Sequence, residues 1–200
     1  MRRRTTLLVV APVAAAMLLM VSAMALAATV DCSRDDPCRG TPKKDAMHGT
    51  ATTDEMLGLG GDDGMEGLGS TDSLSGQDGD DTLRGGQGGD ELDGYFGNDT
   101  FYGGPGDDVM RGDDDWDYSN RTDGHDHLYG NGGNDTLYGY YGDDTLVGGD
   151  GDDQINAFDD ERFTGGEDFI DCGKGHDEVI FDKGVDKVRN CEVRMDHDEL

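Results

Sequence analysis

The stretch from Gly85 to Met110, GGQGGDELDGYFGNDTFYGGPGDDVM, decides how the chain is read. Asp90, Asp99 and Asp108 recur in it every nine residues, and each stands two places before an apolar side chain: Leu92, Phe101 and Met110. Followed outward, a nine-residue frame starts at Gly40 and runs to Asn156, thirteen units in all. After a break from Ala157 to Arg162, three more units start at Phe163, Cys172 and Phe181. Aspartate fills the sixth position of all sixteen units, from Asp45 and Asp54 to Asp177 and Asp186. The eighth position is apolar in fifteen, Ser119 being the exception, and Gly holds the first position in twelve and the fourth in twelve. Glycine at fixed places marks backbone that turns sharply or enters positive φ, where a Cβ would clash.

These positions predict about six residues of Gly-rich turn followed by about three of strand, with the single apolar side chain pointing inward. Two units make one coil, so unit n stacks on unit n+2 at the ordinary strand spacing of about 4.8 Å. The expected fold is all-β: a parallel β-roll, or β-helix solenoid, of eight coils and roughly 40 Å. A helical reading fails because no 3.6-residue apolar period exists and glycine is everywhere.

The units resemble G-G-x-G-x-D-x-U-x, where U is a large apolar residue, the nonapeptide of the repeats-in-toxin (RTX) or haemolysin-type calcium-binding proteins. Gly85-Gly86-Gln87-Gly88-Gly89-Asp90-Glu91-Leu92-Asp93 and Gly103-Gly104-Pro105-Gly106-Asp107-Asp108-Val109-Met110-Arg111 fit at every fixed position. The resemblance implies several Ca²⁺ ions held between stacked turns by carboxylates and main-chain carbonyls. The carboxylates it implicates are Asp63, Asp72, Asp81, Asp90, Asp99, Asp108, Asp117, Asp126, Asp135, Asp144, Asp153, Asp168 and Asp177. The main-chain ligands it adds are Gly61, Gly79, Gly86, Gly88, Gly97, Gly104, Gly106, Gly124, Gly133, Gly142, Gly149 and Gly151. Elementary chemistry agrees: calcium takes six to eight hard oxygens in flexible geometry, whereas magnesium demands a strict octahedron and keeps its waters. Stacked carboxylates repel without a cation, and one buried side chain per nine residues does not offset the cost of ordering them. The chain is therefore expected to be disordered without calcium and to fold with it. Asp90 and Asp108 should flank one layer, and Asp99 should pair with Asp81 or Asp117. The units at Gly40 and Gly49 read as a cap in which Asp45 and Asp54 serve structure. The unit from Gly112 to Asn120, with Asp115, Trp116 and Ser119 out of pattern, reads as a bulge or a remodelled binding patch.

Charge narrows the partners. Asp and Glu number 45 against 16 Lys and Arg, a net charge of −29, which excludes nucleic acid as a default partner and makes cations the natural one. Arg2, Arg3 and Arg4 followed by an apolar run ending in Ala25-Leu26-Ala27 read as a secretory signal peptide over residues 1–27, with a twin-arginine signal and an uncleaved anchor as alternatives. No other segment is apolar enough to span a membrane. Residues 28–39 form an N-terminal segment closed by Cys32 and Cys38, and 190–200 a C-terminal cap and acidic tail. The repeats occupy 40–156 and 163–189, separated by 157–162. Cysteines in an exported chain read as disulfides. The frame places Cys172 and Cys191 on the same side of adjacent coils, at a separation suited to a bond.

No catalytic constellation lies outside the repeat, so an enzyme is not expected. His48, His125, His127, His176 and His197 are scattered over the frame as turn residues. The readings that remain are a secreted structural or extracellular module and a calcium-dependent adhesin for cell-surface glycans or proteins, using Tyr95, Phe96, Tyr102, Tyr129, Tyr138, Tyr140 and Tyr141. The closing His197-Asp198-Glu199-Leu200 raises an ER-lumenal calcium buffer as a minor alternative to bacterial export. A monomer is expected.

Overall fold

The computed structural model describes residues 28–32, 37–113, 124–158, 166–182 and 185–196. The signal-peptide segment 1–27, Asp117, Trp116, Ser119 and the closing tetrapeptide lie outside the described residues. Two parallel nine-stranded sheets face each other, and successive strands alternate between them. The first sheet stacks β1 (Ala28–Asp31), β3 (Asp45–His48), β5 (Gly64–Gly69), β7 (Thr82–Gln87), β9 (Thr100–Pro105), β11 (His127–Gly132), β13 (Thr145–Asp150), β15 (Phe169–Lys174) and β17 (Lys187–Arg189). The second stacks β2 (Cys38–Arg39), β4 (Glu55–Gly60), β6 (Ser73–Asp78), β8 (Glu91–Phe96), β10 (Val109–Asp113), β12 (Thr136–Tyr138), β14 (Gln154–Asn156), β16 (Glu178–Phe181) and β18 (Val193–Asp196). This is an all-β solenoid of about eight turns, two units to the coil. Among the described residues no helix is long and apolar enough to cross a membrane.

The eighth position builds the core. Met47, Met65, Leu83, Phe101, Leu128, Leu146 and Ile170 lie in register up one sheet. Met56, Leu74, Leu92, Met110, Leu137, Ile155 and Val179 do so up the other. All are buried. Burying one such side chain stabilises by about 1.5–3 kcal/mol, and the two columns make the single core cluster of the roll.

The strands are longer than the nonapeptide spacing predicts. Half of them run six residues, from the seventh position of one unit to the third of the next. The main-chain ladder continues through the Gly-rich segment, where side chains need not contribute and leave no pattern to read. The bend is made at the second position, which takes positive φ even where it is not glycine: Leu59 at 82°, Leu68 at 80°, Gln77 at 78° and Tyr95 at 79°.

At one place the ladder leaves the frame. β9 pairs with β11 and β10 with β12, so stacked aspartates here are 27 residues apart instead of 18. Asp99 therefore partners Asp81 on one side and Asp126, not Asp117, on the other. The chain occupies the second position with Asp113 and the fourth with Gly124, leaving ten residues where one stands elsewhere. The extra length equals one repeat, which is why the frame counts through it unbroken. A second interruption follows the same rule. The Ala157 N–H donates to Ile180 O as Gly139 N–H does to Asn156 O, so Ala157, within the expected break, takes a first position. The ladder then resumes at Gly166, stacked on Gly142.

The N-terminal segment is itself a coil. Val30 lies in register with Met47 and Cys38 with Met56, and the Cys32–Cys38 disulfide spans its turn with a Cα separation of 5.2 Å. Cys172 and Cys191 are bonded across the last coils, also at 5.2 Å. Cys172 and Cys32 both stand at first positions, where most units carry glycine.

Candidate metal centre

Each sixth-position aspartate turns its side chain into the roll. After Asp45 and Asp54, which begin the ladders, the Oδ1 accepts a hydrogen bond from the main-chain N–H of the aspartate one coil earlier: Asp45 to Asp63 at 2.8 Å, Asp63 to Asp81 at 2.7 Å, Asp81 to Asp99 at 2.7 Å and Asp99 to Asp126 at 2.7 Å along one edge. That ladder continues through Asp144, Asp168 and Asp186. The opposite edge carries Asp54, Asp72, Asp90, Asp108, Asp135, Asp153 and Asp177 in the same way. Two carboxylate ladders thus run the length of the solenoid.

The second oxygen distinguishes the ends from the middle. Asp45 Oδ2 accepts from Thr41 N–H, and Asp54 Oδ2 from Thr50 N–H at 2.6 Å and Thr50 Oγ1 at 3.0 Å. Asp186 Oδ2 accepts from Asp182 N–H at 2.7 Å. In these end turns the second-position N–H reaches the carboxylate. Between them the Oδ2 atoms of Asp63, Asp72, Asp81, Asp90, Asp99, Asp108, Asp126, Asp135, Asp144, Asp153 and Asp177 are buried without a hydrogen-bond donor. A buried carboxylate oxygen left so is costly unless a cation meets it.

Each of those oxygens except that of Asp177, whose unit begins with Cys172, faces a space reserved by glycine. A Cβ added to first-position Gly58 would stand 2.5 Å from Asp63 Oδ2 and 2.6 Å from Gly76 O. At the fourth position, a Cβ on Gly79 would stand 2.6 Å from Gly61 O, and the same collision recurs up both edges through Gly88, Gly97, Gly106, Gly133, Gly142 and Gly151. Gly86, Gly104 and Gly149 repeat it at the second position. The turns are therefore lined by stacked carbonyl rows beside the carboxylates. Among the described residues no three His, Cys, Asp or Glu side chains converge as a metal-binding group, so any ion here draws on carbonyls as well as carboxylates, the donor mix that suits calcium.

Burial dominates the electrostatics. It lifts the carboxyls of Asp63, Asp72, Asp135 and Asp153 from 3.8 to about 6, and those of Asp81 and Asp108 to about 7. Asp99 and Asp126 reach about 8. Asp144 reaches about 10, through desolvation first and the neighbouring charge of Asp126 second. Metal-free, the ladder resists ionisation.

The family description RTX calcium-binding nonapeptide repeat (4 copies) matches residues 48–83, 57–92, 66–101, 93–119 and 121–155. The chain belongs to the RTX repeat family. No curated protein sequence matches it significantly. RTX nonapeptides bind Ca²⁺, and the two tests available in the geometry agree with that ion: donorless buried carboxylate oxygens, and a carbonyl-lined space that a side chain would fill. Bound there, calcium supplies positive charge that neutralises carboxylates on successive coils. Asp117 lies outside the described residues; its place in the ladder is held by Asp126. Two features of this RTX roll escape a nonapeptide reading: the buried second-position Asp113, and the skipped unit. Ser119 and Arg121 signal the latter, since an inward eighth position takes an apolar side chain and a first position has room for little beyond glycine.

Proposed function

We propose that this RTX chain leaves the cell unfolded and assembles outside, on binding several Ca²⁺ ions, into a stiff acidic rod that serves as a structural or surface module and not as an enzyme. The observation that supports this is the run of donorless Oδ2 atoms from Asp63 to Asp177, set against the satisfied ones of Asp45, Asp54 and Asp186. The middle turns depend on an ion, whereas main-chain donors meet the Oδ2 atoms of Asp45, Asp54 and Asp186. Extracellular modules bind calcium at about 10⁻⁴ to 10⁻³ M, so a calcium-poor interior leaves the chain open until export. Circular dichroism during a calcium titration tests this: β-structure should rise from near zero, and a signal already complete in chelator would sink the proposal.

An adhesive role has one observation of its own. The outer face of the second sheet carries a shallow groove lined by Thr136, Tyr138, Gln154, Asn156, Glu178 and Ile180, an aromatic wall with amide, hydroxyl and carboxylate groups. The ring of Tyr138 stacks on Tyr140 at 5.8 Å, and that of Tyr102 stacks on Tyr129 at 5.3 Å and lies under the Arg84 guanidinium, so the latter two rings cover neighbouring strands. Calcium-dependent pull-down on cell-wall glycans, lost on Tyr138→Ala, distinguishes adhesion from a purely structural role.

A further inference from the structure

The first carboxylate ladder begins with an unmet oxygen. Asp45 is 1% exposed, and while its Oδ2 accepts from Thr41 N–H, its Oδ1 is buried without a hydrogen-bond donor. Along the rest of this edge, from Asp63 to Asp186, each Oδ1 accepts from the main-chain N–H at the sixth position of the coil before. The residue that holds this place for Asp45 is Ala28, the first residue of β1 and in register with it. The position of the missing donor is therefore fixed by the ladder itself.

The sequence supplies an independent observation. Ala28 directly follows Ala25-Leu26-Ala27, the small-residue signature that ends the apolar leader. Hydrolysis of the Ala27–Ala28 peptide bond by a signal peptidase adds one water across it: Ala27 leaves as a carboxylate, and Ala28 keeps its nitrogen as an ammonium. While the bond is intact, that nitrogen offers one N–H, its direction fixed by the planar peptide, and Asp45 Oδ1 goes unmet. Once the bond is cut, the same nitrogen carries three N–H donors and a positive charge. Ala28 is exposed, so the ammonium keeps water on its outer side while one N–H turns inward. The resulting charge-assisted bond is stronger than the amide bond repeated up the ladder.

We infer that the amino terminus created at Ala28 seats on Asp45 Oδ1, so that removal of the leader closes the first coil of the roll. This rests on the reading of residues 1–27 as a cleaved export leader and gives the cut a structural role. The uncut chain keeps a buried carboxylate oxygen unpaired at the start of the ladder, which is costly. The cut chain meets it with a charge of its own, one coil before the run of aspartates that starts at Asp63.

Nuclear magnetic resonance of the chain 28–200 in saturating calcium tests this; that chain holds all eighteen strands. Ala28 is compared free and Nα-acetylated, since acetylation restores an amide where the cut made an ammonium. Acetylation should quicken amide exchange in β1 and β3 about tenfold and leave β9 unchanged. It should also move the carboxyl carbon resonance of Asp45 and leave that of Asp54 in place. Exchange in β1 and β3 that ignores acetylation, or an Asp45 resonance that stays where it was, overturns the inference. Mass spectrometry of the exported protein checks the leader separately. A terminus other than Ala28 removes the leader reading and the inference with it, whereas a terminus at Ala28 with an unmoved Asp45 resonance sinks the inference alone.

Discussion

At the residue scale, the first-position glycine and the sixth-position aspartate act as one unit, because the absent Cβ is the room into which Oδ2 points. Gly58→Ala would place a methyl 2.5 Å from Asp63 Oδ2 and 2.6 Å from Gly76 O; overpacking of this kind costs about 1–3 kcal/mol. Gly64→Ala, where nothing lies within 4 Å, should be neutral or gain about 0.4–1 kcal/mol by stiffening the unfolded chain. Urea unfolding of both variants in saturating calcium measures the difference. Leu68 carries φ 80° and is 51% exposed, so it bears left-handed strain while burying little. Leu68→Gly relieves strain of about 1–2 kcal/mol against a smaller entropic loss, and its urea midpoint should rise. Much of this was legible beforehand. The columns led by Met47 and Met56 and the aspartates beside them were readable because each coil imposes the same side-chain type at the same place. The inward fold of the carboxylates was not, since spacing does not say which way a turn side chain points.

At the element scale, the coil is the unit of addition, and its ends are where it frays. The Cys172–Cys191 bond joins β15 to the segment after β17, closing a loop of sequence separation 19. Replacing both cysteines by serine should cost about 3 kcal/mol in a loop of this size. Amide exchange should quicken in β15 to β18 first and leave β5 to β9 protected. The pairing could be read from the frame because stacking brings a first position and its successor's neighbour together. The six-residue strands could not, because ladder bonds at positions one to three are made by main chain alone. Nor could the jump from Asp99 to Asp126, since an insertion of one repeat length leaves every later residue in phase; Asp115, Trp116 and Ser119 mark the unit as irregular, and Arg121 marks the next, without giving the new pairing.

At the scale of the whole molecule, stability depends on what neutralises the two ladders. The middle carboxyls that burial raises titrate above 3.8 in the folded, metal-free state, from about 6 at Asp63 to about 10 at Asp144. A raised folded value favours the protonated roll, so without metal this contribution is full below pH 3.8 and disappears as pH climbs through 6 to 10. With calcium the dependence reverses, because protons must leave for the ion to enter. Residual β-structure in metal-free buffer should therefore rise on acidification, and the calcium midpoint should fall as pH increases across the same window. Paired dichroic titrations read both, and metal-free β-structure that grows with pH, or a calcium midpoint that rises with it, would contradict the ladder. The two departures from the ladder, between Asp113 and Gly124 and between Phe158 and Gly166, both follow strands of the second sheet and precede strands of the first. They leave by the same edge, two coil spacings or roughly 10 Å apart. A solenoid that releases chain at the third position without losing register works as a splice point: appendages there can be exchanged, lengthened or paired side by side while the stacked scaffold beneath them stays the same.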